Sequence, residues 1–230
     1  MIIVKFQVVA LLFFDSVIYS RTMYKLLLAS ALFVSVVINP LHAEQCEQFA
    51  VTASDGYVNV RSVPRVQKNN IVGTLPTGFS LSLTIQRQGW WQINSPFQGW
   101  VAGNQISKVS CDTAHDLLYK VGYPTMNHLS KKAIQGNRMA AETLIKMSGA
   151  MDGANAEIYA ESITNFANQN PNFLLSILKQ QSSLNRQMSL RLIDFGLGIS
   201  NSSERQKFEA IIIQLPSDNM VKQDWQNRNR

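Results

Sequence analysis

The sequence predicts a multidomain chain with α and β in separate parts: a small N-terminal β-barrel, then a C-terminal all-α helical bundle or short helical array. Three observations predict it. Between Cys46 and Cys111, apolar residues alternate with period two and turn residues recur at short intervals. After Cys111 the apolar period lengthens to nearly four. Ahead of both parts stands a segment with the layout of an export signal. At 46% hydrophobic and 16% charged residues, the composition excludes a disordered chain and a multi-span membrane protein.

In the leader, Lys25 is followed by Leu26 to Ile38, thirteen uncharged and mostly apolar residues; the break Asn39-Pro40 and Leu41-His42-Ala43 precede Glu44. A basic flank, an apolar run too short to span a bilayer comfortably and a small residue at the end describe a signal peptide cleaved after Ala43. Met23 directly precedes Tyr24-Lys25 and is the expected start, which leaves residues 1–22 as an over-long reading frame. The alternative is a long signal peptide or membrane anchor that also uses the apolar run from Phe6 to Phe14. Either way residues 44–230 are expected outside the cytoplasm, periplasmic or secreted, with no stable membrane span after signal cleavage. Cys46 and Cys111 are the only cysteines, and an even count in an oxidising compartment predicts a disulfide.

The net charge of +6 includes Lys5, Arg21 and Lys25 of the leader. From Glu44 onward there are 18 basic and 14 acidic side chains, a balance of +4, and no run of consecutive Lys or Arg stands out. A nucleic-acid footprint is therefore not expected. A mild positive balance is compatible with an anionic polymer or surface without specifying one.

Strands are expected over 49–53, 57–61, 71–75, 80–86, 90–94, 99–102 and 106–109. The turns between them are Ser54-Asp55-Gly56, Lys68-Asn69-Asn70, Pro76-Thr77-Gly78, Gln88-Gly89 and Asn94-Ser95-Pro96. Within 80–86, Leu81, Leu83 and Ile85 should share one face, with Ser82, Thr84 and Gln86 on the other. Three of the four tryptophans, Trp90, Trp91 and Trp100, fall in this part.

Four blocks of this region occur in an order and spacing that resemble the bacterial SH3-like domain family. They are Gly56-Tyr-Val-Asn-Val-Arg-Ser-Val-Pro64, Ile71-Val-Gly-Thr-Leu-Pro-Thr-Gly78, Gly89-Trp-Trp-Gln-Ile93 and Gly99-Trp-Val-Ala-Gly103. Val63 stands where the family usually has glycine, so the first long loop is expected to turn differently. The resemblance implies an SH3-like barrel over 46–111, with the Cys46–Cys111 bond stapling its two ends. It also implies binding of cell-wall peptide or glycan, with Tyr57, Asn59, Arg61, Trp90 and Trp100 as contact residues. Aromatic faces offer apolar contact to peptide and sugar, and arginine can pair a carboxylate bidentately. The alternative is structural: Trp91 with Ile93, and Trp100, fill the core, and Arg61 holds a loop.

Helices are expected over 112–121, 127–134, 136–150, 154–169, 171–182, 185–198 and 202–215, within a helical domain 112–216 followed by a polar tail, 217–230. Their apolar faces are Ala140, Leu144, Met147 and Met151; Tyr159, Ile163 and Phe166; Leu174, Ile177 and Leu178; Met188, Leu192 and Phe195; and Phe208, Ile211 and Leu215. Asn170 before Pro171 reads as a helix start, and Asn201 with Glu204 has capping-box spacing.

Catalytic chemistry is not expected. A Cys-His peptidase needs a free cysteine, and no Gly-x-Ser-x-Gly elbow is present. No metal centre is expected either: Asp112, His115, Asp116 and His128 read as solvated helix residues. Glu142, Glu157 and Glu161 remain as carboxylates for glycan cleavage by elimination alone. The expectation is an exported, non-catalytic cell-envelope protein without a cofactor, which binds wall material through its barrel. The alternative is a structural or assembly protein that engages a protein partner through its helical domain.

Overall fold

The turn glycines, proline and asparagines cut the first part of the chain into short antiparallel strands. A computed structural model describes residues 46–151, 153–199 and 201–228. The signal peptide, the Met23 start and the cleavage after Ala43 lie outside the described residues. The strands are β1 Glu47–Val51, β2 Tyr57–Arg61, β3 Ile71–Pro76, β4 Ser80–Leu81, β5 Leu83–Arg87, β6 Trp90–Ile93, β7 Gly99–Ala102 and β8 Ile106–Ser110. They form a three-stranded sheet, β4-β1-β8, and a five-stranded sheet, β3-β2-β7-β6-β5, both antiparallel. Val58, Val60, Leu75, Phe79, Ile93, Phe97 and Val101 are buried between them.

The single strand expected over 80–86 is two strands. The chain leaves one sheet at Leu81 and enters the other at Leu83. The pairing of β5 with β6 then slips between Leu83 and Gln86. A one-residue slip reverses which side chains face inward, so Ile85 is 58% exposed instead of joining Leu81 in the core.

The Cys46–Cys111 disulfide is present, with a Cα–Cα distance of 5.5 Å. It lies just beyond the β1–β8 ladder, where the Cys111 amide also donates to the Cys46 carbonyl at 2.9 Å. From that point the chain is helical: α1 Cys111–Leu117, a π-turn Leu118–Gly122, α2 Tyr123–Ile134, α3 Arg138–Ser148, α4 Gly153–Gln169, α5 Pro171–Leu178, α6 Ser183–Gly196, α7 Ser203–Gln214 and α8 Met220–Asn227. The break expected between 121 and 127 does not occur. The wider π-turn carries the helix past Gly122 and Pro124, whose missing N–H would otherwise interrupt the ladder. Ser110, Asn137, Ser182, Ser202 and Asn219 cap helix starts with their side chains. The cap before α7 is Ser202 rather than Asn201. Asn170 precedes Pro171 as expected, but its amide donates to the Ile134 carbonyl at 2.9 Å instead of capping.

The described residues form one compact unit. A single cluster of buried apolar residues runs from Val51 and Leu75 in the strands through Leu118 and Met126 to Phe166 and Trp225 in the helices. Two glycines permit the close approach. Gly78 has φ +86°, and a Cβ there would lie 2.1 Å from the Leu118 amide nitrogen; a Cβ on Gly122 would lie 2.1 Å from the Thr77 carbonyl oxygen. Gly122→Ala is therefore expected to cost roughly 1–3 kcal/mol, the range for overpacking a tight contact, measured as a lowered urea midpoint.

Two expectations about the helices are corrected. Phe195 does not share a buried face with Met188 and Leu192; it is 62% exposed. The buried face of α6 keeps Leu192 and also carries Arg186, Ser189, Leu190 and Ile193. Polar side chains hold it because they are satisfied: Arg186 by Asp224 and the Gln181 carbonyl, Ser189 by Ser148 at 2.7 Å. The polar tail, in turn, contains α8, which buries Val221 and Trp225. Trp225 stacks edge-on to Phe208 with ring centres 5.2 Å apart, and the Arg228 guanidinium lies over its ring at 3.8 Å.

Arg228 and Arg205 both donate to Asp194, at 2.8 Å and 2.5 Å, so one carboxylate joins α6, α7 and the end of α8. Burial alone would raise the Asp194 carboxyl, but hydrogen bonds from Arg205 and Arg228 and their charges together hold it below the ordinary carboxylate value.

Candidate functional site

Side chains directly opposite in an antiparallel ladder share a face. On β2, Val58 and Val60 point into the core, which turns Tyr57, Asn59 and Arg61 outward. Arg61 pairs with Trp100, Trp100 with Gln92, and Trp90 with Ala102 and Arg87. Tyr57, Asn59, Arg61, Trp90 and Trp100 thus lie on one outer face of the five-stranded sheet. Trp91 faces the other way, half-buried, with its ring 6.4 Å from that of Phe49.

Two clefts open on this outer face and meet along β2. The shallower, about 170 Å³, is lined by Arg61, Val66, Trp90, Ala102 and Gln105. The larger, about 460 Å³, runs between β2, β3 and α2, and is lined by Ile71, Thr74, Thr125, His128, Leu129 and Lys132. Asp55, Tyr57 and Asn59 line both and form the ridge between them. Trp100 is half-buried on the same face and lines neither cleft.

Arg61 is committed in part to structure. Its Nη1 donates to the Gln67 carbonyl at 2.9 Å and to Asn70 Oδ1 at 2.7 Å, and the buried Asn70 donates onward to the Arg65 carbonyl at 2.8 Å. These bonds shape the loop after Val63. Arg61 therefore holds the loop and also borders the smaller cleft. Asn59 accepts from Thr74 at 3.3 Å, which leaves its amide N–H groups without a partner among the described residues.

On the helix side of the larger cleft only His128 was weighed from the sequence, as a metal ligand and not as part of this cleft. Thr125, His128, Leu129 and Lys132 are spaced i, i+3, i+4 and i+7, a single face of α2. In sequence that face looks like any half-polar helix surface. Its meeting with β2 depends on Thr125, whose hydroxyl donates to the Gly56 carbonyl at 3.0 Å.

Apart from His128, the residues weighed for other chemistry lie away from the two clefts. His115 pairs with Asn155 at 2.9 Å, and Asp116 accepts from Lys120 at 2.7 Å. The hydrogen bond from Lys120, with its charge, holds the Asp116 carboxyl below its ordinary value. Glu142 accepts from Arg138 and Glu161 from the Tyr123 hydroxyl, and neither they nor Glu157 line the two clefts. Among the described residues no three His, Cys, Asp or Glu side chains gather as a metal site, and no helix is long and apolar enough to cross a membrane.

No family model matches the chain, and no curated protein or solved structure matches it.

Proposed function

We propose that this chain is an exported, non-catalytic cell-envelope protein whose strand region is an SH3-like module that binds cell-wall peptide or glycan. The observation that carries the reading is the outer face of the five-stranded sheet. There Tyr57, Asn59, Arg61 and Trp90 border two adjoining clefts, one of them about 460 Å³, a size that suits a short peptide or a few sugar rings. The four sequence blocks that resemble bacterial SH3-like domains supply most of these positions. The disulfide supports an oxidising location.

The test is co-sedimentation of residues 44–230, disulfide intact, with isolated peptidoglycan sacculi. Saturable pelleting is expected, and Trp90→Ala or Tyr57→Ala should weaken it by roughly tenfold, as for an aromatic anchor at an interface centre. Pelleting no greater than that of an unrelated protein of similar charge would refute the reading.

One observation favours the assembly alternative. Phe195 and Ile199, at the end of α6 and just beyond it, are 62% and 73% exposed. Large apolar side chains left in water at neighbouring positions are a common feature of protein-binding surfaces. Under that alternative the wild-type protein does not pellet with sacculi, and Phe195→Ser weakens the capture of a protein partner.

A further inference from the structure

The larger cleft has a polarity along its length, and the polarity specifies a ligand. Thr125 pins the start of α2 to Gly56, so Asp55 stands beside the first turn of that helix. Lys132 lies seven residues further along the same helix face, about 10 Å at 1.5 Å per residue. Between them, Tyr57 and Asn59 project from β2 and His128 from α2. Among the described residues, neither Lys132 nor Asp55 takes part in an ion pair. The cleft therefore presents one anion at the junction with the smaller cleft and one cation at its far end, with hydrogen-bonding side chains in the interval.

We infer that this cleft takes a peptide segment of about three extended residues, with its free carboxylate on Lys132 and an ammonium or peptide N–H on Asp55. The inference rests on the wall-binding reading and narrows it. The ligand is the peptide and not the glycan, and its direction along β2 is set. A neutral sugar chain would leave both charges without counterparts, whereas a free carboxylate meets Lys132 directly, with the Asn59 amide and Tyr57 hydroxyl as further donors. His128 sits midway on the helix wall and borders the chain between its ends. The helical part then completes the binding site instead of serving as a separate scaffold.

The experiment compares pelleting of the disulfide-intact protein on untreated sacculi and on sacculi whose carboxylates have been converted to amides with carbodiimide and ammonia. Amidation should weaken wild-type binding at least roughly tenfold, the scale of one charge-assisted hydrogen bond. Lys132→Gln should bind both preparations equally, at the level of wild type on amidated wall. Lys131→Gln, which removes the same charge from a neighbouring helix position outside the cleft, should behave as wild type. Wild-type protein that binds both preparations equally would overturn the carboxylate assignment and leave wall binding standing, and so would equal sensitivity of the two lysine variants. Absence of pelleting on untreated sacculi would remove the wall-binding reading and this assignment with it.

Discussion

Arg186→Ala is expected to lower the unfolding free energy by roughly 3–5 kcal/mol, the usual cost of removing one partner from a buried ion pair. The Arg186 and Asp224 side chains are only 6% and 13% exposed, so the pair is shielded from water and salt. Each has further partners: Arg186 Nη1 donates to the Gln181 carbonyl at 3.1 Å, and Asp224 also accepts from Gln187 at 3.1 Å. Alanine at 186 would leave the Asp224 charge enclosed with only a neutral amide to answer it. The double change Arg186→Met with Asp224→Leu removes both charges and both desolvation costs, and should restore stability to near the wild-type value. By contrast Lys108→Ala breaks a pair with Glu47 in which both side chains are more than half exposed or nearly so, at 58% and 50%, and should cost no more than about 1 kcal/mol. Urea unfolding of the three variants measures all of this. An Arg186→Ala midpoint within error of that of Lys108→Ala would mean that the pair does not hold α8 in place.

That ion pair also marks where sequence reading stopped. Most strand positions were legible because glycine, proline and asparagine punctuate the chain where it reverses, but the switch between sheets after Leu81 carries no such mark. The site residues on β2 were singled out by the resemblance of their sequence block to bacterial SH3-like domains, not by periodicity. Helix faces were legible wherever the core is wholly apolar, as at Leu144, Tyr159, Ile163 and Ile177. The α6 face was not, because Arg186 and Ser189 occupy inward positions that a search for apolar periodicity assigns to solvent. Phe195, the largest apolar residue there, points outward. The same mechanism hid α8. Residues 217–230 are mostly polar, and the one available signal was Val221 with Trp225 four residues on. What makes that helix stable is the aromatic contact with Phe208 and the ion pair with Arg186, both from elsewhere in the fold, together with Arg228 at its own end, which lies over the Trp225 ring. The candidate site divides in the same way. Tyr57, Asn59, Arg61 and Trp90 belong to a local pattern, while Thr125, His128 and Lys132 acquire meaning only when α2 lies against β2.

Replacing both cysteines by serine is expected to cost roughly 4 kcal/mol on the chain-entropy model for a loop of this length, 65 residues. The effect should arise almost entirely in the unfolded chain. In the folded protein β1 and β8 already pair through five register positions, and the Cys111 amide meets the Cys46 carbonyl, so the two ends stay adjacent without the bond. The folded variant should keep the native tryptophan emission and ellipticity, with only its urea midpoint lowered. How that loss spreads depends on the shared core. With Trp225 of α8 replaced by phenylalanine, Trp90, Trp91 and Trp100 report on the strands, while far-ultraviolet ellipticity reports mainly on the helices. The buried cluster is continuous between them, and Gly78 and Gly122 bring the strand turn into backbone contact with the helix. Both signals should therefore shift together in one transition, because strands that lose their partner across that contact expose helix core as well. A tryptophan transition that moves while the helical transition stays would show that the contact transmits little stability. The helices would then be a separately folding unit that only borrows one wall of the cleft from the strands.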